Sequence, residues 1–140
     1  MQYSYRSNYY LRDMAENSGT KTFYEILGDQ KLKELVDAFY DRVYNHPTLI
    51  PLFNNDIKEV KDKQFCFLSQ FLGGPPRYNE KYGPPRMRMR HMPHRINNEA
   101  KEAWLQCMKE AIGTLDLNDH LSDALYNCFP KLANHMVNSH

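Results

Sequence analysis

From Gln30 onward the apolar residues Leu32, Leu35, Val36, Phe39, Tyr40 and Val43 recur at three- and four-residue spacing, which only an α-helix gathers on one face. His46-Pro47 ends that helix, because the residue before a proline is driven out of the helical region. The period returns in Val60, Gln64, Phe67, Leu68, Phe71 and Leu72, then from Ala100 through Ala103, Trp104, Cys107, Met108 and Ala111 to Ile112, and again from Leu121 to Val137. No stretch alternates with the period of a strand and no segment repeats, so the expected class is all-α with four main helices.

The punctuation agrees with that period. Thr22-Phe-Tyr-Glu25 and Asp56-Ile-Lys-Glu59 have capping-box spacing, the first opening a short helix that should stop at Gly28. Thr48 to Phe53, bracketed by Pro47 and Pro51, suits a tight helical turn. Gly73-Gly74-Pro75-Pro76 ends the second long helix, Asn97 or Asn98 caps the third, and Pro130 kinks or restarts the last. Residues 77–93 hold Pro84, Pro85, Pro93 and four arginines, and read as an ordered loop with at most short turns. Residues 1–19 lack an apolar period and read as a polar N-terminal extension preceding one domain over 20–140.

Charge removes several functional classes. Lys and Arg total 18 against 17 Asp and Glu, a net charge of +1, which lacks the excess a phosphate-backbone or anionic-membrane binder relies on. No apolar run approaches a membrane span, the first twenty residues have no signal-peptide core, and three cysteines form no C-x-x-C pair, so a cytoplasmic protein is expected. The hydrophobic share of 41% includes 10 Tyr; exchanging these for the 6 Gly leaves about 38%, below the usual range of roughly 45–50%. Either part of the chain is a solvated tail, or something besides side chains helps fill the core.

Polar groups on the apolar stripes carry the chemical information, since each needs a partner or a ligand. They are Tyr40, Gln64 and Trp104. Any one of them alone is ordinary core packing with the polar tip on a backbone carbonyl. Together they offer a phenol O–H, an amide and an indole N–H to one small molecule.

Among the six histidines, His46, His120, His135 and His140 read as exposed or satisfied side chains. His91 and His94 lie in the arginine-rich loop, where cations can neutralise the acid groups of an anionic cofactor; spacing does not choose between them as metal ligand. The Arg86-Met-Arg-Met-Arg90 run has no glycine-aromatic RNA-recognition motif around it. G-x-S-x-G, a Walker loop, G-x-G-x-x-G and H-E-x-x-H are all missing, and Cys66, Cys107 and Cys128 fall at helix-face positions as core thiols.

Phe39-Tyr40, Phe67-Leu-x-Gln70-Phe-Leu-Gly73-Gly74-Pro75, Arg88-Met-Arg-His91-x-Pro93 and Ala103-Trp104-Leu-x-Cys107-Met108, in this order and separation, resemble a group II truncated haemoglobin. The resemblance runs from about Thr22 to Val137. It implies a shortened globin fold, a two-on-two helical sandwich around haem b. It implies His91 as proximal iron ligand, Tyr40, Gln64 and Trp104 as distal ligand-binding residues, and Phe53, Val60 and Phe67 as apolar pocket residues. Phe53 stands where the family often has tyrosine, and Val60 where many globins have a distal histidine. Arg90, with Arg86 and Tyr78, is the expected partner of the haem propionates.

The implied ligands are O₂, CO and NO. Three distal donors slow release, which favours redox or detoxification chemistry with NO, peroxide or sulfide over O₂ storage or transport. NO dioxygenase or peroxidase-like turnover would need an external reductase. The competing reading is a ligand sensor or interaction module using residues 1–19. A monomer or weak dimer is expected, and Tyr40 or His46 is the candidate for an internal sixth iron ligand.

Overall fold

The computed structural model describes residues 21–53, 56–86 and 95–138. Every regular element among them is helical: α1 Phe23–Val43, α2 Ile57–Phe71, α3 Arg77–Tyr82, α4 Asn98–Gly113, α5 Asp119–Tyr126 and α6 Pro130–Met136, with a 3₁₀ turn at Ile50–Leu52. The described residues form two compact units, one of residues 21–33 and 56–86, the other of 34–53 and 95–138.

In the first unit the Thr22 capping box closes in both directions. The Glu25 N–H donates to Thr22 Oγ1 at 3.1 Å and the Thr22 N–H donates to Glu25 Oε1 at 3.0 Å. Gly28 then takes φ 74°, ψ 169°, a break inside α1 that a side chain would resist. Asp56 caps α2 by accepting from the Lys58 N–H at 3.0 Å. That helix ends in a Schellman motif: Gly73 has φ +93°, its N–H donates to the Gln70 carbonyl at 3.2 Å, and the Gly74 N–H donates to the Ser69 carbonyl at 2.8 Å. The Tyr24 N–H donates to the Leu72 carbonyl at 3.0 Å, so the start of α1 is bonded to the end of α2.

Two expectations are corrected here. The stretch after Pro76 is not all loop, because α3 forms over Arg77–Tyr82 and packs on α2. Its prolines flank the helix and do not interrupt it: Pro75 and Pro76 precede it, and Gly83 at φ 81° leads to Pro84 and Pro85. The buried stripe of α2 is also displaced. Residues 66 to 71 are all buried, whereas Val60 and Gln64 are only half-buried, so the fully buried amide on this helix is Gln70.

In the second unit the α1 stripe is buried as expected, with Leu35, Val36, Phe39, Tyr40 and Val43 all at 5% exposure or less. Asn97 caps α4 through the Ala100 N–H at 2.9 Å. Helix α4 packs on α5 and α6, and the last helix restarts at Pro130, which sits in its first turn where no N–H is needed. Residues before α4 are pinned to the C-terminal segment, since the Ile96 N–H donates to Asn138 Oδ1 at 2.8 Å and the Asn138 N–H donates to the Ile96 carbonyl at 2.9 Å.

Candidate functional site

The second unit gathers an aromatic cluster around Tyr40. This residue is 5% exposed, and three rings surround its own: Phe39 at 4.9 Å between centroids, Phe53 at 5.9 Å and Tyr44 at 6.1 Å. Phe39 also meets Trp104 edge-on at 5.1 Å, and Trp104 meets Phe129 at 6.0 Å. The spacing of the sequence explains the placement. Phe39 and Tyr40 are neighbours near the end of α1 and Tyr44 follows directly after it, while Trp104 stands one turn after Ala100 on α4.

Burial pushes the Tyr40 phenol well above its ordinary pKa, with the Tyr44 phenol adding to the effect. The hydroxyl is therefore a protonated donor at any physiological pH, and it makes no hydrogen bond among the described residues. Neither does the Trp104 indole N–H, on a half-buried side chain, nor the half-buried Gln64 amide. Thr48 donates its N–H to His46 Nδ1 at 3.3 Å.

Gln64, Val60, Phe67, Tyr78 and Arg86 belong to the first unit. Phe67 and Tyr78 are buried at 3% and 2%, their rings perpendicular with centroids 6.2 Å apart, and Arg86 is exposed. His91, Arg90 and His94 lie outside the described residues, as do residues 1–20. All three cysteines are free thiols, and burial raises each above its ordinary pKa, Cys128 to about 11, so none is tuned as a nucleophile.

Sequence reasoning missed several polar residues. Gln70 pairs with Asn79, and Asp62 accepts from both Lys81 and Tyr82, joining α2 to α3. Arg77 makes a two-pronged ion pair with Asp29, at 2.9 and 3.1 Å, while its guanidinium lies 5.4 Å from the Tyr24 ring and 5.2 Å from the Phe65 ring. The hydrogen-bonded partners are 9 to 48 residues apart, and no local spacing announces them.

A buried phenol whose hydroxyl makes no hydrogen bond among the described residues, walled by aromatic rings and joined through Phe39 to the Trp104 indole, is a donor set suited to a small polar ligand. The chain belongs to the bacterial-like globin family, whose model matches residues 22–138. Within that family its similarity is to the group II truncated haemoglobins. It is 46% identical over 115 residues to the group 2 truncated hemoglobin YjbI of Bacillus subtilis (strain 168), covering 82% of this chain and 87% of that protein.

Solved structures agree. The X-ray structure of a truncated oxygen-avid haemoglobin from Bacillus subtilis has a TM-score of 0.79 and 45% identity, covering 84% of this chain and 100% of that one. The crystal structure of the group II truncated hemoglobin from Bacillus anthracis has a TM-score of 0.81 and 40% identity, covering 85% of this chain and 92% of that one. The fold is that of a truncated globin, and the family implies a haem cofactor and small gaseous ligands. Among the described residues no helix is long and apolar enough to cross a membrane.

Proposed function

We propose that this chain holds haem b through His91 and uses Tyr40, Gln64 and Trp104 as donors to a small polar ligand, for redox or detoxification chemistry more than O₂ storage or transport. The observation that carries the reading is Tyr40, a buried phenol kept protonated by its surroundings and making no hydrogen bond among the described residues. A phenol held protonated and committed to no other group is available as a donor to a bound ligand. The His91 assignment is supported by the Arg88-Met-Arg-His91-x-Pro93 motif within the stretch, residues 22–138, that matches the family.

Haem, when bound, supplies an iron that takes diatomic ligands and exchanges single electrons. The protein's part is to hold, orient and wall off. Arg90, Arg86 and Tyr78 would pair with the propionates; Phe53, Val60 and Phe67 keep the ligand's surroundings apolar, which strengthens each donor. Donors of this kind slow ligand release, and the similar haemoglobin of Bacillus subtilis is described as oxygen-avid. Electrons for turnover with NO, peroxide or sulfide would come from a separate reductase. Three free cysteines support a reducing, cytoplasmic setting.

The test is O₂ release from the haem-loaded protein by stopped flow. Tyr40→Phe and Trp104→Leu should each speed release roughly tenfold, one hydrogen bond's worth. Unchanged release in both variants overturns the distal assignment.

A further inference from the structure

We propose that Tyr82 is a surface oxidation site, where phenols too large to enter the fold give up single electrons that travel inward through Tyr78. The proposal rests on the haem reading above and adds a second substrate class to it.

Three aromatic rings of the first unit lie in series. Phe67, 3% exposed, meets Tyr78, 2% exposed, at 6.2 Å, and Tyr78 meets the half-buried Tyr82 at 5.2 Å. Tyrosine is one of the few side chains that a strong, peroxide-derived oxidant can strip of a single electron, and over separations of one ring contact an electron crosses quickly, the Phe67 ring being crossed and not itself oxidised. The series thus joins a buried residue of the proposed pocket to a phenol that solvent reaches.

The surroundings of Tyr82 decide how it is oxidised. The Lys63 and Lys81 ammonium groups lie over its ring at 5.5 and 5.6 Å. Two cations against the ring disfavour loss of an electron alone, which would leave a third positive charge there. Loss of the electron together with the phenolic proton leaves a neutral radical, and the acceptor for that proton is in place: the Tyr82 hydroxyl donates to Asp62 Oδ2. Lys81 Nζ donates to the same oxygen at 2.7 Å and, with Tyr82, holds the carboxyl below its usual range, so Asp62 is ionised and ready to accept at neutral pH. Cys66 Sγ, 3.9 Å from the same oxygen, is the nearby competing reductant.

The oxidant is hydrogen peroxide, whose reduction to two waters takes two electrons and two protons. For each electron, Tyr78 gives an electron inward and releases its phenolic proton; the Tyr82 O–H bond then breaks, its electron passes to Tyr78, which regains a proton, and its own proton passes to Asp62 Oδ2. A phenol at the surface then gives a hydrogen atom to the Tyr82 radical and leaves as a phenoxyl radical, while Asp62 releases its proton to water. One peroxide and two phenols give two waters and two phenoxyl radicals.

The experiment uses the full haem-loaded chain, hydrogen peroxide, and tyramine coupled to dextran, a phenol that cannot enter the fold. Rapid-freeze electron paramagnetic resonance reads the tyrosyl radical, and fluorescence reads coupling of the polymer-bound phenols. Tyr82→Phe, which keeps the ring and its lysines, and Tyr78→Phe should each lower both signals roughly tenfold, and Asp62→Asn should do the same. Cys66→Ser should leave the radical undiminished. Parental radical and polymer signals in both phenylalanine variants, at full haem content, overturn the proposal alone. Failure of the parent to take up haem overturns the haem reading and this proposal with it.

Discussion

Gln70 and Asn79 close a ring of two hydrogen bonds: Gln70 Nε2 donates to Asn79 Oδ1 at 3.1 Å, and the Asn79 backbone N–H donates to Gln70 Oε1 at 3.1 Å. A side-chain amide at 3% exposure thus finds a donor and an acceptor on the first turn of α3. Gln70→Leu keeps the bulk and deletes both bonds, and should cost about 1–3 kcal/mol in denaturant unfolding. Asn79→Ala should add little on top of it, because the two residues share one interaction. Additive losses would mean that the ring does not act as a unit.

Gly74 should tolerate no side chain. A Cβ there would lie 2.4 Å from Tyr24 Cγ and 2.6 Å from Tyr24 Cδ2, so Gly74→Ala should lose about 1–3 kcal/mol of stability. Gly113, the last residue of α4, has nothing within 4 Å of the same position, and Gly113→Ala should be neutral or gain up to about 1 kcal/mol. Thermal unfolding of the two variants side by side separates them; equal losses would contradict the close approach of Tyr24 to Gly74.

Arg77 should not be replaceable by lysine. Its guanidinium bonds both oxygens of Asp29, donates to Ser69 Oγ at 3.0 Å, and stacks near two rings, whereas an ammonium can meet only part of that set. Arg77→Lys should lower the unfolding midpoint nearly as far as Arg77→Ala. Full retention by lysine would show that charge alone matters.

Acid should undo the ion pairs that tie α3 to α2 and to α1. The Lys81 and Tyr82 bonds hold Asp62, and the Arg77 and Tyr24 bonds hold Asp29, below the ordinary carboxylate value of 3.8. A carboxyl whose folded pKa is depressed stabilises the fold above its unfolded value, and that contribution fades as pH falls toward and through the folded one. The stability gap between the parent and Asp62→Asn should therefore be full at neutral pH and shrink progressively from about pH 5 downward. A gap independent of pH would remove the ionised carboxylate from the account.

The helices were legible because their causes are local. The Leu, Val and Phe stripe of α1, the Thr22 capping box and the Gly73-Gly74 stop are written within a few residues of where they act, and each forms as read. Tyr40 and Trp104 were legible as polar residues on otherwise apolar faces, and both enter one aromatic cluster. What the sequence hid was long-range polar pairing. Nothing near Asp62 points to Tyr82, twenty residues on, and Gln64 looked more buried than Gln70 because a helical period alone does not say where along α2 full burial begins. The helix within residues 77–93 was obscured by prolines that bound it.

The central claim is tested most directly by the absorbance spectrum of the purified chain titrated with haemin, recorded ferric, reduced and reduced under CO, for the parent, His91→Ala and His94→Ala. The account predicts one haem per chain, a shift of the reduced bands on adding CO, and loss or gross alteration of the unliganded reduced spectrum in His91→Ala alone. Folded parent protein that takes up no stoichiometric haem, or a spectrum altered in His94→Ala and parental in His91→Ala, would contradict it.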